Sequence, residues 1–179
     1  AFHPVRISNT WLFYSKGWRG INIEPNPEIF PLFDRYRPGD INVNLAVARQ
    51  AGAVDFHCAD EFSGINNGNY LKGGGGEGRN IRVEALPLTD ILERHLPQGQ
   101  TIHFMSVDCE GGDLEVLQSN DWTRFRPGLV LVEEHEHFGS SVKEEMEKWD
   151  YRPVVKLGLT RIYEDMRTTN KEPSSSRNL

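Results

Sequence analysis

The sequence predicts an α/β protein: a mostly parallel sheet with helices on both faces. Three observations carry this expectation. Apolar, strand-like runs alternate with segments of helical period along the 179 residues. Several of those runs end in acids: Glu24, Asp108, and the neighbours Glu133 and Glu134. One stretch, 102–117, reads as a short strand, an acidic tip, the turn Glu110-Gly111-Gly112, and then a helix with Leu114, Val116 and Leu117. Sites in α/β proteins lie outside the carboxyl ends of parallel strands, so acids at such ends share one edge. Asp108 and Glu110 are therefore expected at the rim of a pocket. The competing expectation is that they cap the helix that follows, where carboxylates are favoured anyway.

The elements follow in order. Ser8, Asn9 and Thr10 offer N-cap side chains to a helix carrying Trp11 to Tyr14 and stopped by Gly17. Residues 20–25 read as a buried strand ending in Glu24 and Pro25. Asn26 and Pro27 open the next helix, with Pro31 limiting its regularity. Residues 41–47 alternate as one strand, and 53–58 form another after the turn at Ala51 and Gly52. From 60 to 80 the apolar period is lost, and the run Gly73 to Gly76 reads as a hinge or tip of a long loop. It is not a phosphate loop, because no Lys-Ser/Thr follows. Strand character returns at 81–86, followed by a helix from Thr89 that ends before Pro97. After the central strand and its helix come a strand at 129–134 and a helix with Val142, Met146 and Trp149. Two strands around Gly158 complete the domain, expected over 1–165, and 166–179 reads as a disordered polar tail. Trp11, Trp18, Trp122 and Trp149 are expected to pack helices and core.

The formal net charge of -6 argues against a general nucleic-acid or anionic-membrane binder. No apolar run approaches the length of a membrane span. Two cysteines, Cys58 and Cys109, form no CxxC pair and suit buried thiols in a reducing cytoplasm.

The stretches Gly17-Trp18-Arg19-Gly20-Ile21-Asn22-Ile23-Glu24-Pro25-Asn26-Pro27, Leu86-Pro87-Leu88-Thr89-Asp90 and Val107-Asp108-Cys109-Glu110-Gly111-Gly112-Asp113-Leu114 together resemble the FkbM-type methyltransferases. The likeness runs from Ala1 to about His135 in order and spacing. It implies a class I, Rossmann-like sheet with a C-terminal antiparallel hairpin. It also implies transfer of a methyl group from S-adenosylmethionine (SAM) to a hydroxyl of a saccharide or secondary metabolite. The family's first strand, with its glycine motif, would fall immediately before Ala1, so the resemblance implies an N-terminal strand missing from this stretch and an unpaired position in mid-sheet. Carried onto this chain, Glu24 would hold the ribose diol, while Asn44 and the Ala46 backbone lie near the adenine. Asp60 and Ser63 would edge the cofactor or a lid. Ser8, Asn9 and Thr10 would face the methionine carboxylate, and Asp108 the methionine moiety or reactive methyl. Asp108 or His135 would serve as base, with Glu110 orienting the acceptor and Glu134 a further candidate base. No metal is expected in that reading.

Two rivals remain open at this point. One is a non-catalytic remnant or fragment of such a domain. The other is a metal-dependent hydrolase using the run Glu133 to His137 with His57, Asp60 and Asp108; the absence of HExxH spacing counts against it.

Overall fold

The computed structural model describes residues 3–58, 64–65, 78–134 and 141–169. The first helix, α1 (Trp11–Ser15), ends at Lys16, and Gly17 takes φ +92° where the chain reverses. Thr10 occupies the N-cap position without a side-chain cap, contrary to the expected hydroxyl capping. The Ser8 and Thr10 hydroxyls instead accept hydrogen bonds from Arg37, both at 2.8 Å.

Strand β1 (Ile21–Ile23) leads to helix α2 (Phe30–Tyr36), which starts later than Asn26 and Pro27 suggest. Asn26 explains the delay. Its side-chain oxygen accepts from the Glu28 N–H at 2.9 Å and builds a turn ahead of the helix. Pro31 then falls in the first helical turn, where its missing N–H costs nothing.

The single strand expected at 41–47 is two, β2 (Ile41–Val43) and β3 (Ala46–Val47), which join different sheets. The break is at Asn44, whose side-chain NH2 donates to the Glu24 carbonyl at 2.8 Å. Strand β4 (Gly52–Cys58) follows, then the short β5 (Gly64–Ile65) and the long β6 (Arg79–Leu86). Helix α3 (Leu88–His95) precedes β7 (Phe104–Val107) and α4 (Asp113–Gln118). The chain continues through β8 (Leu129–Glu133), α5 (Ser141–Lys148), β9 (Tyr151–Leu157) and β10 (Thr160–Asp165). Met166–Thr169 forms a helical turn, α6, where the tail was expected to begin; residues beyond 169 lie outside the described set.

In place of the expected continuous, mostly parallel sheet, the described residues form three sheets, one parallel and two mixed. β1 and β2 pair in parallel. A second sheet has the order β7-β8-β10-β9, with β7 and β8 parallel and the other two pairings antiparallel. The third has the order β3-β6-β4-β5, in which only β3 and β6 are parallel. β4 runs antiparallel to β6, and β9 returns on β10 through the short turn at Gly158, φ +61°. Short returns make antiparallel pairs, whereas parallel pairs need crossovers.

The main core lies over the second sheet. Val130, Val132, Leu117, Met146 and Tyr163 are fully buried there, with α3, α4 and α5 supplying the covering side chains. Trp122 stacks on Trp149 with ring centroids 4.8 Å apart, and its indole N–H donates to the Leu117 carbonyl. These two tryptophans are packing residues as expected; Trp18 is 43% exposed. Among the described residues no helix is long and apolar enough to cross a membrane.

Candidate functional site

A cavity of about 990 Å³ lies between β1 and β7. Ile21 and Ile23 line one side, Phe104, Met105 and Val107 the other. Among the described residues β1 pairs only with β2, and β7 only with β8. The cavity is thus bounded by the facing edges of two sheets. Its size suits a ligand of cofactor dimensions.

Acids stand where the strand-end pattern puts them. Glu24 follows β1 directly, is 4% exposed and lines the cavity. Its Oε1 accepts from the Asn26 N–H at 2.8 Å. Burial raises the Glu24 pKa, and that N–H partly offsets the rise. Asp108 and Glu110 follow β7, and Glu133 ends β8; all three line the cavity. Carboxylate oxygens of the three lie within 4.8 Å of one another. Such crowding raises carboxyl pKa values, because like charges resist ionising together. Burial first, then the hydrogen bond to Asp108 and its charge, push Glu133 up to about 8. Burial and the Asp108 charge push Glu110 up to about 7. At neutral pH Glu133 therefore keeps its proton and hydrogen-bonds Asp108.

The turn that presents these acids is held by Asp113, not by Asp108 or Glu110. Asp113 Oδ1 accepts from the Cys109 N–H at 2.9 Å, and Oδ2 from the Gly111 N–H at 3.2 Å. Glu110 and Gly111 both take positive φ, +49° and +96°. Two successive left-handed residues reverse the chain sharply, and the buried Asp113 carboxylate fastens the reversal. The helix-capping explanation for Asp108 and Glu110 is thereby weakened: Asp113 already serves the turn's amides.

The other predicted residues divide. Ser8, Asn9, Thr10 and Ala46 line the cavity. Asn9 Nδ2 donates to Ser106 Oγ at 3.2 Å, tying the segment before α1 to β7. Asn44 does not line this cavity; it braces the Glu24–Pro25 backbone and borders a separate small hollow. Glu134 points away from it, accepting from Arg161 and from the Tyr163 hydroxyl. Asp60, Ser63 and His135 lie outside the described residues. Of the proposed metal-ligand run, Asp108 and Glu133 come together, whereas His57 bonds Asn80 in the third sheet.

Two contributors were not singled out in the sequence as parts of the site, Asp113 and Arg37, and Glu133 was expected there only as a strand-end acid and in the metal-ligand run. Arg37 is 2% exposed, and its guanidinium reaches the cavity wall. Alternation along β8 signals that Glu133 and Glu134 face opposite ways, but not which one faces the pocket.

No curated protein and no solved structure matches the chain. The model of the methyltransferase FkbM domain matches residues 3–153, most of the sequence, including every element that borders the cavity. On that match, the chain belongs to the FkbM methyltransferase domain family.

Proposed function

We propose that this domain is a SAM-dependent O-methyltransferase acting on a hydroxyl of a saccharide or secondary metabolite. The observation that carries the reading is that Glu24 and Asp108, each at the carboxyl end of a strand, line one cavity of cofactor size. The donor set fits the cofactor chemically. A carboxylate such as Glu24 can accept two hydrogen bonds from a ribose diol. Asp108, Glu110 and Glu133 bring carboxyl oxygens together at the place where a sulfonium would be held.

When bound, SAM would supply an electrophilic methyl for in-line transfer to the acceptor oxygen, its C–S electron pair remaining on sulfur. The residues of the chain position, exclude water and move the proton. The Ser8, Asn9 and Thr10 lip would hold the polar end of the cofactor, and Ala46 would flank its base. Asp108 receives the acceptor's hydroxyl proton, and Glu133 steadies it by hydrogen bonding. Glu110 orients the acceptor. His135 remains the alternative base. Holding acceptor and methyl in line accounts for most of the acceleration such a site provides.

A calorimetric titration with SAM, paired with thermal melts, tests this. Ligand at about 100 times its dissociation constant stabilises the fold by about 2.7 kcal/mol. A saturable isotherm with a raised melting temperature is expected. A flat isotherm from a cooperatively folding protein would favour the non-catalytic reading, and zinc- or manganese-dependent hydrolysis without SAM binding would favour the hydrolase.

A further inference from the structure

Arg37 is the largest fully buried side chain in the described structure, and it is charged. Burying a guanidinium is costly unless its donors are all met. Here all five have partners. Nε donates to the Pro4 carbonyl at 3.0 Å. The two Nη2 hydrogens go to Ser8 Oγ and Thr10 Oγ1, each at 2.8 Å. Nη1 faces Asn22 Oδ1 and Asp40 Oδ2, each at 3.4 Å. The guanidinium carbon also lies 5.3 Å from the Tyr14 ring centroid and 5.8 Å from that of Trp11. Asp40 in turn accepts from the Gly20 N–H and the Asn22 side chain, both at 2.9 Å, fixing the pair to β1.

The pattern has a direction. One side of the guanidinium is fixed to β1 through Asn22 and Asp40. The other side holds three points on the 4–10 segment, and the helix that follows it, α1, is too short to hold itself. We propose that Arg37 is a positioning residue for the cofactor pocket: it sets the Ser8 and Thr10 lip against β1 without touching the ligand's reacting atoms. This rests on reading the cavity as the SAM site. Lysine cannot substitute, since a single ammonium cannot bond Pro4, Ser8 and Thr10 while facing Asp40.

The test is a double-mutant cycle read by SAM calorimetry, with R37K and the pair S8A/T10A. If Arg37 acts through those hydroxyls, R37K weakens SAM binding about tenfold in the wild-type background. In the S8A/T10A background it then adds less than about twofold. An equal loss in both backgrounds, or none in R37K, overturns the proposal. Amide hydrogen exchange supplies an arm that needs no ligand, and S8A/T10A replaces R37K there if R37K does not fold. Faster exchange confined to residues 4–14, with β8 and β10 unchanged, supports the strut; a uniform rise, or no change, overturns it. Wild-type protein that gives no SAM heat removes the pocket reading alone, because the exchange arm still decides whether Arg37 orders the lip.

Discussion

At the scale of single residues, the site turns on protons held by carboxyl groups. Glu133 and Glu110 have folded-state pKa values of about 8 and about 7, above the ordinary 4.5. A carboxyl whose pKa is raised on folding favours the folded state at low pH. That contribution is complete below about 4.5 and is lost as pH rises through about 7 to 8. Glu133→Gln removes the cost of ionising it. Its melting temperature should therefore exceed that of the wild type at pH 8.5, with the gap closing by pH 5. The group is half-open to solvent, so screening leaves an effect on the order of 1 kcal/mol, about 2–4 °C in a domain of this size. Equal melts at both pH values would mean that Glu133 ionises normally. Glu24→Gln makes a second prediction. The amide oxygen can still accept from Asn26, but the charge toward a ribose diol is gone. SAM affinity should fall about tenfold or more by calorimetry, while the melting temperature is unchanged or higher. Glu24 and Asp108 were legible because a strand-end acid followed by a turn is visible in the chain. Arg37 was not, since its partners Pro4, Ser8 and Thr10 are distant in sequence and meet it only in the fold.

At the scale of elements, the turn between β7 and α4 is the part most exposed to substitution. Asp113→Ala leaves the Cys109 and Gly111 amides without their acceptor. The expected loss is about 1–2 kcal/mol of stability, read from denaturant melts. Asp113→Asn should lose less, because one oxygen still accepts. If alanine were no worse than asparagine, the turn would be held by its backbone alone. Strand and helix positions followed from apolar period, as with β6, α3, β8 and the hairpin around Gly158. The misplacements have side-chain causes. Asn44 divides 41–47 by bonding the Glu24 carbonyl, and Asn26 delays α2 by bonding Glu28. Period alone carries no sign of either bond.

At the scale of the whole molecule, stability is unevenly distributed. β8 and β10 are paired on both sides and carry the fully buried Val130, Val132 and Tyr163. β1 and β7 each present an edge to the cavity. Amide hydrogen exchange should be slowest in β8 and β10 and faster in β1 and β7, with SAM raising protection in the latter pair. Uniform protection across all four strands would contradict this division. The sequence announced α/β architecture, but it could not announce three sheets in place of one. Which edges pair depends on how chain segments return, and the returns at β4 and β6 enclose residues of no clear period.

The crowded acids at the end of β7 and β8 have a calorimetric consequence. A positively charged ligand set among them lowers their pKa values and expels protons into the buffer. Uptake of SAM at pH 7.5 should therefore carry an apparent enthalpy that differs between phosphate and Tris, with a slope approaching about one proton released. The pocket exchanges one cation for another, and the buffer records the exchange.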